Sequence, residues 1–373
     1  MVLAAAWVVV PAATAHADRL VLGAGGEATA TPGLGGYGWA FLRHEREGRL
    51  PHGARLSVEY NSDTLRVTID RARYDQVELA VSAYGEALLA GVLHDYVRDG
   101  RDDRARGFFA SYLGAAAGAK VDLGAHFLEL VLGARRWFFA RHPATDPALV
   151  LPPDAWVGEA RLYYTFWRLL PDPSLWEPQR LWWRVRGVAA GVELSADLRS
   201  DVARWGASGP AFFPADPRND PSRAIFGAVQ WLRAGAQLHP RVRLQLREEG
   251  RFMWGEDDLV RARIGGMNPW SVPLAGAAWG GYLSGRFLAG EGSIHVRVRG
   301  EHEVGALVDA VLLDDVRRVG DHEAHVLYGV GAFADLRFRR TQLDLRGGWS
   351  PTVQPGRFAG GFSLLAAAGW TLR

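Results

Sequence analysis

Over residues 357–373 the chain keeps a two-residue period. Phe358, Gly360, Phe362, Leu364, Ala366, Ala368, Trp370 and Leu372 share one parity. Arg357, Ala359, Gly361, Ser363, Ala367, Gly369, Thr371 and Arg373 take the other, with Leu365 as the exception. Successive side chains on a strand point to opposite faces, so this pattern writes a strand with one apolar face and one small or polar face. The arithmetic repeats at Val242, Leu244 and Leu246 against Arg241, Arg243, Gln245 and Arg247, and at Ile294, Val296 and Val298 against Ser293, His295, Arg297 and Arg299. It recurs at Leu65, Val67 and Ile69 against Arg66, Thr68 and Asp70, and at Leu343 and Leu345 against Gln342, Asp344 and Arg346. The chain reads as all-β.

A soluble sandwich also alternates, so segment length has to decide. Residues 283–299 and 121–141 far exceed the ordinary soluble strand of about 5–6 residues, whereas a tilted membrane strand needs about 9–11. Aromatics sit towards segment ends, at Trp137-Phe138-Phe139, Trp182-Trp183, Phe252 with Trp254, Trp349 and Trp370. Singly, each cluster suits core packing; together, with arginines on the opposite face, they suit the interfacial girdles of a barrel. The one later stretch of about twenty residues without charge, 264–285, contains Pro269, Pro273 and six glycines, which argues against a spanning helix.

Connection lengths support the same reading, because bacterial barrels alternate long outer loops with short periplasmic turns. Long connections are expected at 92–104, 142–154, 200–222, 255–280 and 314–323. Short ones are expected at Gly118-Ala119-Lys120, His239-Pro240, 300–303 and Arg339-Arg340, with 170–178 intermediate. Counting back from a periplasmic C-terminus gives twelve strands from residue 77, then 64–72, 54–61, 36–46 and 19–30. The expectation is an antiparallel transmembrane β-barrel of about sixteen strands. The count becomes fourteen if the Gly/Thr/Ala-rich stretch 23–36 is a lead-in or plug.

Composition narrows the chemistry. There is no cysteine, which removes disulfides, thiolate metal sites and cysteine nucleophiles and suits an oxidising compartment. Net charge is +2 from 43 basic and 41 acidic residues, so no overall field calls for nucleic acid. Val2-Leu3-Ala4-Ala5-Ala6-Trp7-Val8-Val9-Val10 followed by Ala15-His16-Ala17 reads as a signal peptide over 1–17, cleaved before Asp18. Residues 18–35 then form a periplasmic lead-in or first strand, and 36–373 the barrel, exported to the bacterial outer membrane.

The C-terminal third, 241–373, carries a further pattern. Arg263-Ile264-Gly265-Gly266 opens the longest loop; a long strand with Glu291 follows, then Val308-Asp309-Ala310, Gly329-Val330-Gly331 and an aromatic-bearing last strand. This resembles the BamA/TamA-type superfamily of outer-membrane assembly and translocation barrels, barrel only, with no POTRA repeats fitting before residue 36. The resemblance implies that the loop folds back into the lumen and that Arg263, Gly265, Gly266, Glu291 and Asp309 form a loop–lumen lock. Arg261 and Arg263 are its basic residues. The family's Arg-Gly-aromatic tip is replaced here by Ser271-Val272-Pro273-Leu274-Ala275-Gly276.

Other constellations read as structure. Gly23-Ala24-Gly25-Gly26 and Gly329-Val330-Gly331 lack the strand–turn–helix context of a dinucleotide site and read as barrel glycines. Asp321 with His322-Glu323-Ala324-His325 reads as a solvated acidic loop, with weak cation bridging to lipopolysaccharide phosphates as the alternative. Ser293, His295 and Glu291 share a strand face, as a hydrolytic triad would require, but neighbouring Arg297 and Arg299 mark a lumenal charge ladder, so no enzyme, cofactor or metal is expected. Arg55, Arg66, Arg184, Arg186, Arg241, Arg243, Arg297, Arg337 and Arg346 alternate with Glu59, Asp70, Glu193, Glu291, Asp309, Asp335 and Asp344. They read either as ladders pairing across the wall or as an anion-selective lining, with Arg241, Arg243, Arg297, Arg337 and Arg346 the expected lining. Two functions stay open: assembly or translocation of protein or lipid at the outer membrane, with POTRA-bearing periplasmic partners, or a passive porin-like channel for small solutes. The surroundings expected are outer-membrane lipid and lipopolysaccharide, without nucleic acid.

Overall fold

The computed structural model describes residues 18–29, 37–46, 50–61, 64–86, 92–94, 97–98, 101–102, 105–169, 186–207, 222–257, 259–267, 272–277, 281–318, 321–353 and 360–372. Among them sixteen strands build one closed wall. The first eight are β1 (Asp18–Thr29), β2 (Tyr37–Arg46), β3 (Arg55–Asn61), β4 (Thr64–Tyr74), β5 (Val77–Glu86), β6 (Phe108–Asp122), β7 (His126–Arg141) and β8 (Ala155–Leu169). The second eight are β9 (Gly187–Arg199), β10 (Ala224–His239), β11 (Val242–Trp254), β12 (Arg286–Arg299), β13 (His302–Arg318), β14 (Asp321–Arg337), β15 (Thr341–Ser350) and β16 (Gly361–Leu372). Each pairs antiparallel with the next, and β1 pairs with β16 from Leu20↔Leu372 to Thr29↔Ser363, which closes the barrel. Closure leaves no strand edge unpaired, the condition a sheet must meet to cross lipid. No helix among the described residues is long and apolar enough to cross a membrane.

The two faces follow from the alternation. Leu132, Val308 and Leu364 point outward with more than half of their surface uncovered by protein, and Leu65, Leu194 and Leu345 face the same way, also exposed. This outward apolar surface is the lipid contact of the barrel. Leu365 breaks the alternation of β16 for a structural reason: it faces inward and is 3% exposed, packed with Val21, Trp39, Phe41, Leu307, Phe333 and a loop that fills this part of the lumen.

Several boundaries differ from the sequence reading. The turn expected at Gly118-Ala119-Lys120 lies at Leu123-Gly124-Ala125, so 121–141 is not one strand but the end of β6 and the whole of β7. Gly124 has φ +82° and donates its N–H to Asp122 Oδ1 at 2.9 Å, a local turn that Gly118, inside the ladder opposite Val131, does not make. The loop expected at 314–323 is largely strand, with β13 and β14 paired as far as Arg318↔Asp321. His322, Glu323 and His325 therefore belong to the ladder of β14, not to a loop. Within 92–104, Val92–His94 extends the sheet by pairing with Phe108–Ala110. Trp137 points inward and is 9% exposed, while Phe138 and Trp156 face outward. The stretch 18–29, read as lead-in or first strand, is β1. Residues 1–17, Trp182, Trp183 and Arg184 lie outside the described residues.

Candidate functional site

The β11–β12 connection turns into the barrel. Its first and last parts pair as a small ribbon, Ala262–Ile264 with Tyr282–Ser284. Beyond Ile264 the chain reverses at Gly265 and Gly266, whose φ values of +112° and +85° favour glycine. The Gly265 N–H donates to Val272 O at 2.9 Å and the Leu274 N–H to Gly266 O at 3.1 Å, making a compact fold. Ile264, Leu274 and Ala277 are fully buried against Phe287, Val311, Leu313 and Leu327 of the wall.

Main-chain amides fasten this loop. The Met267 N–H donates to both carboxylate oxygens of Glu27, at 3.1 and 3.0 Å. The Ala275 N–H donates to Asp309 Oδ2 at 2.9 Å, and the Gly276 N–H to Ser363 Oγ at 3.0 Å. Glu27 lies on β1 and Ser363 on β16, the two strands of the closing seam, so one loop grips both sides from within. Close approach needs bare backbone opposite the loop. A Cβ on Gly348 would stand 2.6 Å from Ala275 Cβ, and one on Gly329 would stand 2.5 Å from Ala275 O. Here the wall glycines provide room for a loop.

The rest of the lumen is charged and largely self-neutralised. Arg135 of β7 pairs with Glu159 of β8 and reaches Asp197 of β9 at 3.0 Å. Arg161 holds Asp197 at 2.5 Å and Glu193 at 3.4 Å, and Tyr84 donates to Glu159 at 2.6 Å. Arg55 bridges Glu45 and Asp70 at 3.0 and 2.6 Å. At the end of the barrel with the long connections, Arg199 holds fully buried Asp257 through two contacts of 2.6 and 2.9 Å, and Trp205 Nε1 donates to the same carboxylate at 3.2 Å. Phe108, Trp137, Leu149 and Val157 pack with Trp205 beside that pair.

Neither a protein-family model nor a curated protein sequence matches the chain. Solved structures do. BamA from Haemophilus ducreyi lacking POTRA domains 1–3 superposes with a TM-score of 0.63 at 10% identity, over 95% of this chain and 70% of that one. CdiB from Acinetobacter baumannii and CdiB from Escherichia coli give TM-scores of 0.56 and 0.58, each at 10% identity. They cover 96% and 94% of this chain, which spans only 60% and 63% of theirs. The barrel fold resembles those of BamA and CdiB. At this identity the likeness is one of fold.

The residues expected to act lie in different places. Gly265, Gly266 and Asp309 meet in the in-folded loop and its anchorage. Arg263 sits in the ribbon opposite Leu283, while the Asp309 carboxylate is engaged by the Ala275 amide. Glu291 stands in register between Arg247 and Asp309 on the inner wall. Of the expected lining, Arg243 is buried and paired with Glu303 at 2.6 Å, Arg337 lies 3.5 Å from Asp335, and Arg346 stacks on Phe333. Arg241 departs from the expectation: it is exposed in the β10–β11 turn, where its carbonyl accepts the Arg297 N–H at 2.7 Å. Ser293 Oγ lies 3.1 Å from His295 Nε2, but the acid facing His295 Nδ1 is Glu303, at 3.4 Å, not Glu291. Glu303 is already held by Arg243, and the Gln245 amide crowds Nε2, so this cluster is a rung of the ladder. Among the described residues no group of three or more His, Asp or Glu side chains is arranged to hold a metal ion.

Glu27 and Ser363 escaped the sequence reading. The signal for Glu27 was present, since it is the single charge in a glycine- and alanine-rich segment and falls on the inward parity.

Proposed function

We propose that the chain is an outer-membrane assembly or translocation component whose in-folded loop is a displaceable lock on the barrel seam. The observation that carries this reading is the double grip: amides of one loop bind Glu27 on the first strand and Ser363 on the last. A passive pore can carry a lumenal loop to narrow its channel, but it does not require that loop to bond to both strands of the closure. A component that lets protein or lipid pass laterally or through the lumen needs such a segment, held by a few contacts that can be exchanged. Export by the 1–17 signal, residence in the bacterial outer membrane and recruitment of POTRA-bearing periplasmic proteins belong to the same proposal. The fold likeness to BamA and CdiB supports it.

The test combines conductance with a seam lock. Purified chain in a planar bilayer is expected to conduct little, and deletion of residues 267–276 to raise conductance severalfold. The chain has no native cysteine, so Ala24→Cys with Ala368→Cys, register partners across the seam, introduces a unique disulfide. Oxidised, this variant should fail to promote insertion of an unfolded β-barrel client into proteoliposomes, and reduction should restore it. Steady wild-type conductance unaffected by the loop deletion would instead establish the channel reading.

A further inference from the structure

The lipid-facing wall carries one polar pair where hydrocarbon is expected. On β11 the outward parity runs Leu244, Leu246, Glu248, Gly250, Phe252 and Trp254. Glu248 is the central residue of Val242–Trp254, six positions from either end. Six residues span about 20 Å of strand, or about 14 Å of depth at a 45° tilt, which sets this carboxylate deep within an apolar band about 25 Å tall. Gln230, outward on β10, donates its Nε2–H to Glu248 Oε1 at 3.1 Å. Among the described residues no other carboxylate faces outward more than four positions from a strand end.

The wall around the pair is dented. Glu248 stands opposite Gly290 on β12, Gly290 opposite Ala310 on β13, and Gln230 opposite Gly250. On the periplasmic side of the pair the dent continues as a groove of about 710 Å³, lined by Ala234, Ala236, Leu246, Gly292, Ala306 and Val308. Small residues allow close approach of a second membrane-embedded surface, and an ionisable group in the hydrocarbon favours a site where it can be satisfied.

We infer that this face is a contact surface for a second copy of the same chain. The bond within the pair uses one amide hydrogen and one carboxylate oxygen. Each copy therefore offers a further Gln230 N–H beside a further Glu248 oxygen at nearly the same depth. A two-fold axis along the membrane normal sets the donor of one copy against the acceptor of the other, twice, in a closed isologous contact. Acyl chains offer no donor, and a cationic partner would satisfy the carboxylate while leaving the amide. The groove lets two convex walls meet over an area instead of along a line.

The test uses the full chain folded into proteoliposomes at high lipid-to-protein ratio, with subunits counted by single-molecule photobleaching. Wild type is expected to bleach in two steps. The double variant Glu248→Leu with Gln230→Leu should bleach in one, with at least tenfold weaker association, while heat-modifiable gel migration stays intact to show that the barrel has folded. Ala306→Cys in the groove should cross-link with a short bismaleimide to twice the 40.8 kDa chain mass, and Leu79→Cys on another part of the wall should not. A monomeric wild type, a dimer that survives the double substitution, or equal cross-linking from Leu79→Cys would each overturn the inference.

Discussion

If the loop holds the seam, removing its acceptors should cost measurable and coupled stability. Ser363 is fully buried, and its hydroxyl accepts the Gly276 N–H. Ser363→Ala deletes that acceptor and almost nothing else, stranding a buried amide at about 1–3 kcal/mol. Glu27→Gln keeps a carbonyl oxygen in reach of Met267 but removes the charge, and the difference between a charge-assisted and a neutral bond is about 1 kcal/mol. Independent losses would sum to about 2–4 kcal/mol. The two anchored amides are not independent, because the Gly266–Leu274 bridge joins the halves of the loop that carry them. Once either anchor weakens, the loop should leave as a unit, so the double variant should fall short of the sum by at least about 0.5 kcal/mol. Urea unfolding in lipid vesicles, followed by the heat-modifiable gel band and by tryptophan emission, measures all four corners of the cycle. Single variants within about 0.5 kcal/mol of wild type, or strict additivity, would refute the argument.

Two further outcomes follow from the wall itself. Leu132→Arg, outward near the middle of β7, should cost about 2–4 kcal/mol, whereas Ser82→Arg, inward on β5, should cost far less; equal losses in the same unfolding assay would reverse the assignment of faces. Ser363 is unsuitable as the inward comparison because the loop occupies the space beside it. Arg135→Met takes one of two guanidiniums from Glu159 and Asp197, with Arg161 remaining beside both, and should cost about 1.5–3 kcal/mol, and a change below about 0.5 kcal/mol would show that the ladder is not structural.

Much of the barrel was legible because lipid imposes the period. Strands such as β4, β11, β12 and β16 oppose an apolar row to a polar one, and nothing but a two-sided wall gives that pattern over such lengths. Legibility fails where the contrast fades. Residues 115–119 are all alanine or glycine, so nothing there distinguishes strand from turn, and the expected bend falls before Gly124. The charges of 314–323 suggested a solvated loop, yet strands that rise beyond the membrane are paired by their backbone and carry charged side chains at no penalty. The lock was located but its amide donors were not: a guanidinium such as Arg263 is visible in a sequence, whereas the N–H groups of Met267, Ala275 and Gly276 are common to every residue except proline. Arg199 and Asp257 were not coupled for a simpler reason, since 58 positions separate them and only the lateral pairing of β9, β10 and β11 brings them together.

Fastening by main-chain amides divides mutational tolerance between the partners of the contact. On the loop, the hydrogen at 267 or 275 belongs to the backbone, so an exchange there keeps the bond provided that the new side chain fits the buried space and is not proline. On the wall, the acceptors are side chains, and an exchange at Glu27, Asp309 or Ser363 erases the attachment point. The attachment is thus specified by side chains of the stationary wall, to which the loop contributes only its backbone.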